Sequence, residues 1–316
     1  MRVYQITHPS DLKEKPAPAS VALGNFDGVH LGHQAVIRQA VRRADEQGIC
    51  SAVMTFYPHP KEVLGLVKMP AYLTPLPDKL DVLAGLGLDA AYVVQFTPAL
   101  SMLSPAQFIE QYIVGLNIKQ VVTGFDFHFG HKGAGDIHTL ERWSGEQADF
   151  AVDVVPKVKQ DEQKISSSLI RSLLNEGDVA QVRALLGRSY HIAGKVVHGD
   201  KRGRTIGFPT ANLEPLYPYV IPRYGVYAVY ATCGQERYPG VANVGRKPTF
   251  QQAEAQISIE VYLFGFNGDL YGETLTVEFI DFLRPERKFE SASALQTQIK
   301  CDVQKAQSIL MDSTNI

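Results

Sequence analysis

Gly24-Asn25-Phe26-Asp27-Gly28-Val29-His30-Leu31-Gly32-His33 is the stretch on which the fold of this chain is read. An apolar run at 21–23 precedes it and reads as a buried strand. Residues 34–47 follow, with Val36, Ile37, Ala40, Val41 and Ala44 at helical spacing and Gly48 as a left-handed cap. The stretch is therefore a loop leading from a strand into a helix N-terminus. Its glycines let the backbone approach a ligand closely, and the unpaired N–H groups and positive potential of the helix start suit a phosphate. His30 and His33, three apart around Gly32, can both face that point and donate hydrogen bonds to α-phosphate oxygens as charge builds in a displacement. Neither the dinucleotide-binding G-x-G-x-x-G nor a Walker loop occurs. A zinc pair is a competing reading, but no third ligand stands nearby in the sequence.

Outward from this loop, short apolar runs alternate with amphipathic stretches as far as Leu186, the pattern of a parallel sheet covered by helices. Further strands are predicted at 51–56, 91–96, 120–123 and 151–155, and helices at 77–86, 105–116, 136–147 and 167–175. After Leu186 the character changes. Strands rich in β-branched and aromatic residues are predicted at 195–198, 225–232, 257–263 and 274–279, an antiparallel barrel or sandwich, with Phe266-Asn267-Gly268-Asp269 as a tight hairpin. A last amphipathic helix at 291–310 carries Leu295, Ile299, Val303, Ala306 and Leu310 on one stripe. The fold class expected is α/β in residues 1–186 joined to a β-barrel with a terminal helix in 187–316.

Composition narrows the partners. Lys plus Arg number 31 and Asp plus Glu 33 in 316 residues, for a formal charge of -2, and no long run of one sign occurs. A broad nucleic-acid or anionic-membrane surface is not expected, whereas a small basic pocket for a phosphorylated ligand is allowed. Cys50, Cys233 and Cys301 are far apart, so neither a zinc cage nor a disulfide framework is expected. The opening residues lack a signal-peptide pattern and no apolar run approaches the ~20 residues of a membrane span, so a cytoplasmic protein is expected. Its partners would be small molecules, and its state a monomer or weak homo-oligomer.

His30-Leu31-Gly32-His33 after a first strand resembles the HxGH signature of the nucleotidyltransferases. The longer GNFDGVHLGH resembles that of the prokaryotic bifunctional riboflavin kinase/FAD synthetases. Thr55-Phe56-Tyr57-Pro58-His59-Pro60, residues 124–130 (GFDFHFG) and residues 165–171 (ISSSLIR) follow in the same order. The resemblance implies a Rossmann-like domain in which the FMN phosphate attacks the α-phosphate of ATP, releasing pyrophosphate and forming FAD. By that resemblance His30 and His33 act at the α-phosphate and leaving group, and Ser167, Ser168 and Arg171 at the β- and γ-phosphates. Gly24, Asn25, Phe26, Gly28 and Gly32 form the phosphate-binding loop, and Asp126 lines the nucleotide site. Asn25 and Asp27 shape the loop through Asx hydrogen bonds.

Residues 194–204 (GKVVHGDKRGR) run into Gly207-Phe208-Pro209-Thr210-Ala211-Asn212. Alone, this reads first as a basic surface hairpin. It could also fold over a polyphosphate, with the Thr210 hydroxyl and Asn212 carbonyl sharing one Mg²⁺. The stretch resembles the riboflavin kinase motif ending in PTAN, and the likeness continues through 240–245, 248–250, 268–272, 277–279 and 282–284. It implies transfer of the ATP γ-phosphoryl group to the riboflavin 5′-hydroxyl. Thr210 and Asn212 would hold Mg²⁺, Gly199, Gly203 and Arg204 would cover the phosphates, and Glu278 would accept the hydroxyl proton. Lys247, Tyr262 and Gly265 depart from the usual pattern. Three rivals stay open here: an adenylyltransferase that lacks kinase activity or serves another phosphorylated acceptor, a flavin-binding regulator without turnover and, least favoured on the charge balance, a tRNA-binding enzyme of the wider HxGH superfamily.

Overall fold

The computed structural model describes all residues except 13, 67–70, 161–162, 200–206, 248–255 and 313–316. The chain divides into two compact units, Met1–Ser167 and Ser168–Ile316.

The first unit is a parallel sheet. In chain order it contains β1 (Arg2–Ile6), β2 (Ala19–Leu23), α1 (Leu31–Gln47), β3 (Cys50–Tyr57), α2 (Pro60–Val63), α3 (Leu76–Ala84) and β4 (Ala90–Gln95). Then come α4 (Pro98–Ser101), α5 (Pro105–Phe108) running on as a π-helical turn over Ile109–Val114, β5 (Ile118–Gly124), α6 (Ile137–Glu146) and β6 (Ala151–Val155). A two-residue-per-strand hairpin, β7 (Lys159–Gln160) and β8 (Gln163–Lys164), ends it. The strand order is β1-β4-β3-β2-β5-β6. The five strands and five helices predicted in residues 1–186 are present. β1, a five-residue strand at the edge of the sheet, lies outside that prediction.

Period-two alternation explains why the sheet can be covered on both faces. Ala22, Val53, Ala91 and Val122 point to one side, where Val36, Ile37 and Ala40 of α1 and Leu83 of α3 bury them. Val21, Met54, Tyr92 and Val121 point to the other, against Phe108, Ile109, Tyr112 and Leu140. α1 ends where expected: Gly48 takes φ 62° and its N–H bonds back to the carbonyls of Ala44 and Asp45.

The helix α7 (Ser167–Glu176) begins on the last residue of the first unit and continues into the second, followed there by α8 (Val179–Leu186). The strands β9 (Tyr190–Val197), β10 (Ala211–Pro215), β11 (Gly225–Cys233), β12 (Glu236–Lys247), β13 (Gln256–Leu263) and β14 (Thr274–Pro285) form a closed barrel of order β10-β13-β12-β11-β14-β9. Every neighbouring pair is antiparallel. Tyr227, Val229, Val261, Val277 and Phe279 fill its interior. α9 (Ala292–Asp312) lies outside, with Val303, Ala306, Ile309 and Leu310 on Val226, Val241, Ile280 and Leu283. Arg284 fastens it through Nε and Nη2 to Asp302, at 3.0 and 2.8 Å.

The expected hairpin at 266–269 is not one. β13 pairs with β12 and β10 while β14 pairs with β11 and β9, so residues 264–273 are a crossover between strands that are not neighbours. Barrel closure overrides the local Asn-Gly preference. β10 and β12 escape prediction because Asn, Pro and Gly interrupt them. In β12, Gly240 is required, since a Cβ there would overlap the Tyr262 carbonyl of β13.

Ile37 is fully buried at the centre of the α1–sheet contact. Ile37→Ala is expected to cost about 2–5 kcal/mol, read as a lower urea midpoint at unchanged slope.

Candidate active sites

Strand order places the first site. From β2 the chain moves through β3 to β4 on one side and later resumes at β5 on the other. The carboxyl ends of β2 and β5 therefore flank the sheet's topological switch point, where open α/β sheets bind ligands. Residues 24–30 leave β2 at that point, and Thr123 of β5 donates its hydroxyl to the Leu23 carbonyl at 3.3 Å.

The loop is backbone-strained and held by side chains. Phe26 and Val29 adopt φ 51° and 41°, and Gly28 φ 93°. Left-handed φ at a β-branched residue needs outside support. Asp27 Oδ1 accepts the Leu73 and Thr74 N–H groups at 3.0 and 3.2 Å. The Ser167 hydroxyl donates to the Asp27 carbonyl at 2.8 Å, and Gln34 Nε2 donates to the Val29 carbonyl at 3.0 Å. The Asn25 carbonyl accepts from Thr55 Oγ1 at 2.9 Å and from Lys79 Nζ at 2.8 Å.

This loop delivers His30 as the N-cap of α1. Its Nδ1 accepts the His33 backbone N–H at 3.2 Å, so the neutral ring carries its proton on Nε2. The two imidazoles stack at 3.6 Å between centroids and 17° between planes. Phe26 meets His33 edge-on at 5.3 Å. Gly32 makes the stacking possible, since a Cβ there would lie 3.1 Å from the His30 ring. Burial lowers the His30 pKa to about 4. It lowers His33 as well, helped by the neighbouring His30 and Lys79. Both are neutral at pH 7. Nδ1 of His33 is buried and makes no hydrogen bond among the described residues, and the zinc reading gains nothing, for no metal-binding group of three His, Cys, Asp or Glu occurs among them.

Asp126, exposed beyond β5, pairs with Lys164, whose ammonium also sits 4.6 Å from the centre of the Phe125 ring. Ser168 and Arg171 follow Ser167 on α7, so the three occupy positions i, i+1 and i+4 of one helix. Lys79 is one residue that sequence reasoning misses. In an amphipathic helix a lysine ordinarily faces water, yet this one is 3% exposed.

In the barrel, Asn212 of β10 lies directly across from Glu260 of β13, and Glu260 directly across from Asn243 of β12. Residues so paired project from the same face. Thr210 makes a long hydrogen bond of 3.4 Å to Glu260 Oε2. A Cβ on Gly199 would overlap the Asn212 amide, so Gly199 lets the chain just beyond β9 pass close to this group. A cavity of about 340 Å³ adjoins it, lined by Thr210, Val261, Leu263, Phe266, Asp269 and Tyr271 among others. The hydroxyl, amide and carboxylate are hard oxygen donors, suited to Mg²⁺ that keeps waters and substrate phosphates as its other ligands. Gly203 and Arg204 lie outside the described residues, as do residues 248–250.

Glu278 is elsewhere. Its cross-strand partners are His191 of β9 and Tyr230 of β11, whereas the β9 partner of Asn212 is Val197, six positions along the same strand. Six residues of strand span about 20 Å. Its carboxylate is occupied by Arg237, at 3.1 and 2.6 Å, whose guanidinium covers the Tyr230 ring at 3.7 Å. The expected grouping of Glu278 with Thr210 and Asn212 is thus corrected: the carboxylate beside them is Glu260.

Two family models match the chain, FAD synthetase over residues 12–169 and riboflavin kinase over residues 186–310. The bifunctional riboflavin kinase/FMN adenylyltransferase of Bacillus subtilis is 48% identical over 97% of this chain and 97% of its own. The chain belongs to the bifunctional riboflavin kinase/FMN adenylyltransferase family. It is accordingly a transferase with both activities. The family's member from Listeria monocytogenes is 44% identical, with 96% of each chain covered. A solved structure described as a macrolide-efflux protein from Streptococcus pneumoniae is 34% identical with a TM-score of 0.88, covering 97% of this chain and 99% of its own. Among the described residues here, no helix is long and apolar enough to cross a membrane.

The depressed His30 pKa has a pH consequence. Between about 6.5 and 4 the unfolded chain binds a proton at position 30 that the fold excludes, so this contribution is full above pH 6.5 and is lost as pH falls towards 4. An NMR titration is expected to show the His30 ring neutral at pH 5.5 and half-protonated near 4; a midpoint at 6 or above would contradict its buried setting.

Proposed function

We propose that residues 1–186 adenylylate FMN to FAD and that residues 187–316 phosphorylate riboflavin to FMN, each with ATP. The observation that carries the reading is the stacked, neutral imidazole pair at the N-terminus of α1, at the switch point of the sheet. An oxygen of the FMN phosphate attacks the ATP α-phosphorus, the bond to the β-phosphate oxygen breaks, and pyrophosphate leaves. A proton on His30 Nε2 is available for the α-phosphate oxygens, and His33 acts beside it on the leaving group. Backbone groups of residues 24–32 and the helix dipole add to that stabilisation. Ser167, Ser168 and Arg171 take the β- and γ-phosphates, and Asp126 lines the nucleotide site.

In the kinase the riboflavin 5′-hydroxyl attacks the γ-phosphorus of ATP and ADP leaves. Glu260 accepts the hydroxyl proton, in place of the Glu278 expected from the sequence. Thr210 and Asn212 would hold Mg²⁺, which when bound neutralises charge on the transferring phosphates. Gly199 lets the chain close on Asn212, and Gly203 and Arg204 belong to the segment expected to cover the phosphates. The enzyme works on small molecules rather than nucleic acid or membranes, as a monomer or weak homo-oligomer. We place it in the cytoplasm, where ATP is supplied and where the three free cysteines stay reduced.

His30→Ala is expected to lower FAD formation from FMN by about a hundredfold or more, with FMN formation from riboflavin retained. Glu260→Gln is expected to lower FMN formation by about 10²–10⁴, while Glu278→Gln, which disturbs only its pairing with Arg237, stays near the wild-type rate. Chromatography of flavins after incubation with ATP and Mg²⁺ reads both. A dead Glu278→Gln beside an active Glu260→Gln would reverse the assignment.

A further inference from the structure

Lys79 is a buried cation whose hydrogen bonds, among the described residues, go to two uncharged oxygens, the Asn25 carbonyl at 2.8 Å and Thr55 Oγ1 at 3.4 Å. Charge is removed from water at considerable cost unless an anion meets it. The Asp27 carboxylate attracts it from the loop, but its Oδ1 is already engaged by the N–H groups of Leu73 and Thr74. Lys79 thus joins two properties: it grips the first residue of the strained turn that carries His30, and it brings positive charge beneath a loop built for phosphates.

We propose that Lys79 is a positioning residue for adenylyl transfer, locking the Asn25 carbonyl and supplying a buried positive charge that the incoming polyphosphate satisfies. The inference rests on the adenylyltransferase reading of the first unit. The field of Lys79 reaches the reacting groups, since its charge is one of the causes that lower the His33 pKa. Burial brings Lys79 itself down to about 8, so the charge is present at neutral pH and lost above it. The titratable groups facing it are Asp27 from the loop and His33 from α1, while β3 presents the neutral Thr55. Carboxylates and imidazoles do not ordinarily change charge in the alkaline range, which leaves Lys79 as the group of this cluster that does.

The test is kcat/KM for ATP in FAD formation from FMN between pH 6.5 and 10, for wild type, Lys79→Met and Lys79→Arg, with riboflavin phosphorylation by the same preparations as internal control. Wild type is expected to fall about tenfold per pH unit above about 8. Lys79→Met is expected to be at least tenfold slower at pH 7 with no alkaline fall. Lys79→Arg, whose charge persists across this range, should recover most of the rate and also lack the fall. A flat wild-type profile, or an alkaline fall that survives in Lys79→Met, overturns the proposal, and the wild-type profile decides even if a variant does not fold. Absence of FAD at every pH from wild type and FMN would instead remove the adenylyltransferase reading, and this inference with it.

Discussion

Two donors on one carbonyl, Thr55 Oγ1 and Lys79 Nζ on the oxygen of Asn25, hold the turn from which the first candidate site is built. Without them the left-handed conformations of Phe26 and Val29 have less to offset their cost, and a relaxed turn would carry His30 away from the N-cap. The donors come from β3 and α3, so the geometry of a seven-residue loop depends on the packing of a whole α/β layer. This is how a parallel sheet converts bulk hydrophobic burial into placement of two imidazole rings.

The barrel solves a different problem with a similar economy. Its candidate site is a row of side chains on adjacent strands, Asn212, Glu260 and Asn243, set by register. Shifting β10 by one residue relative to β13 would turn Asn212 inward and Leu213 outward. Leu213 is buried inside the barrel, so the apolar interior itself fixes the register that faces Asn212 towards Glu260.

Much of this is readable in the sequence, and what is not has identifiable causes. α1 is legible because its apolar positions repeat at helical spacing and Gly48 closes it; the switch-point loop is legible because glycines and two histidines fall between a strand and that helix. Lys79 is hidden, since Leu-Pro-Asp-Lys-Leu-Asp reads as an amphipathic helix with a solvated lysine, and only the approach of β3 and the loop buries it. Glu260 is hidden for a related reason: Ile-Ser-Ile-Glu-Val alternates as a strand with polar residues outward, and nothing local says that the outward face meets Asn212. β10 carries too much Asn and Pro to be recognised as a strand. It exists because β9 and β13 need a partner to close the circle.

That closure also bears on how the enzyme comes off the ribosome. β9, the first strand of the barrel, pairs with β14, the last, and the clasp between Arg284 and Asp302 joins β14 to α9 at the end of the chain. Both contacts require nearly the whole polypeptide, whereas the parallel sheet is complete once residue 155 has emerged. During synthesis, then, the half that finishes the cofactor has all its strands while the half that begins it still lacks its last one. A nascent chain stalled before β14 would carry an open barrel with unpaired edges on β9 and β11.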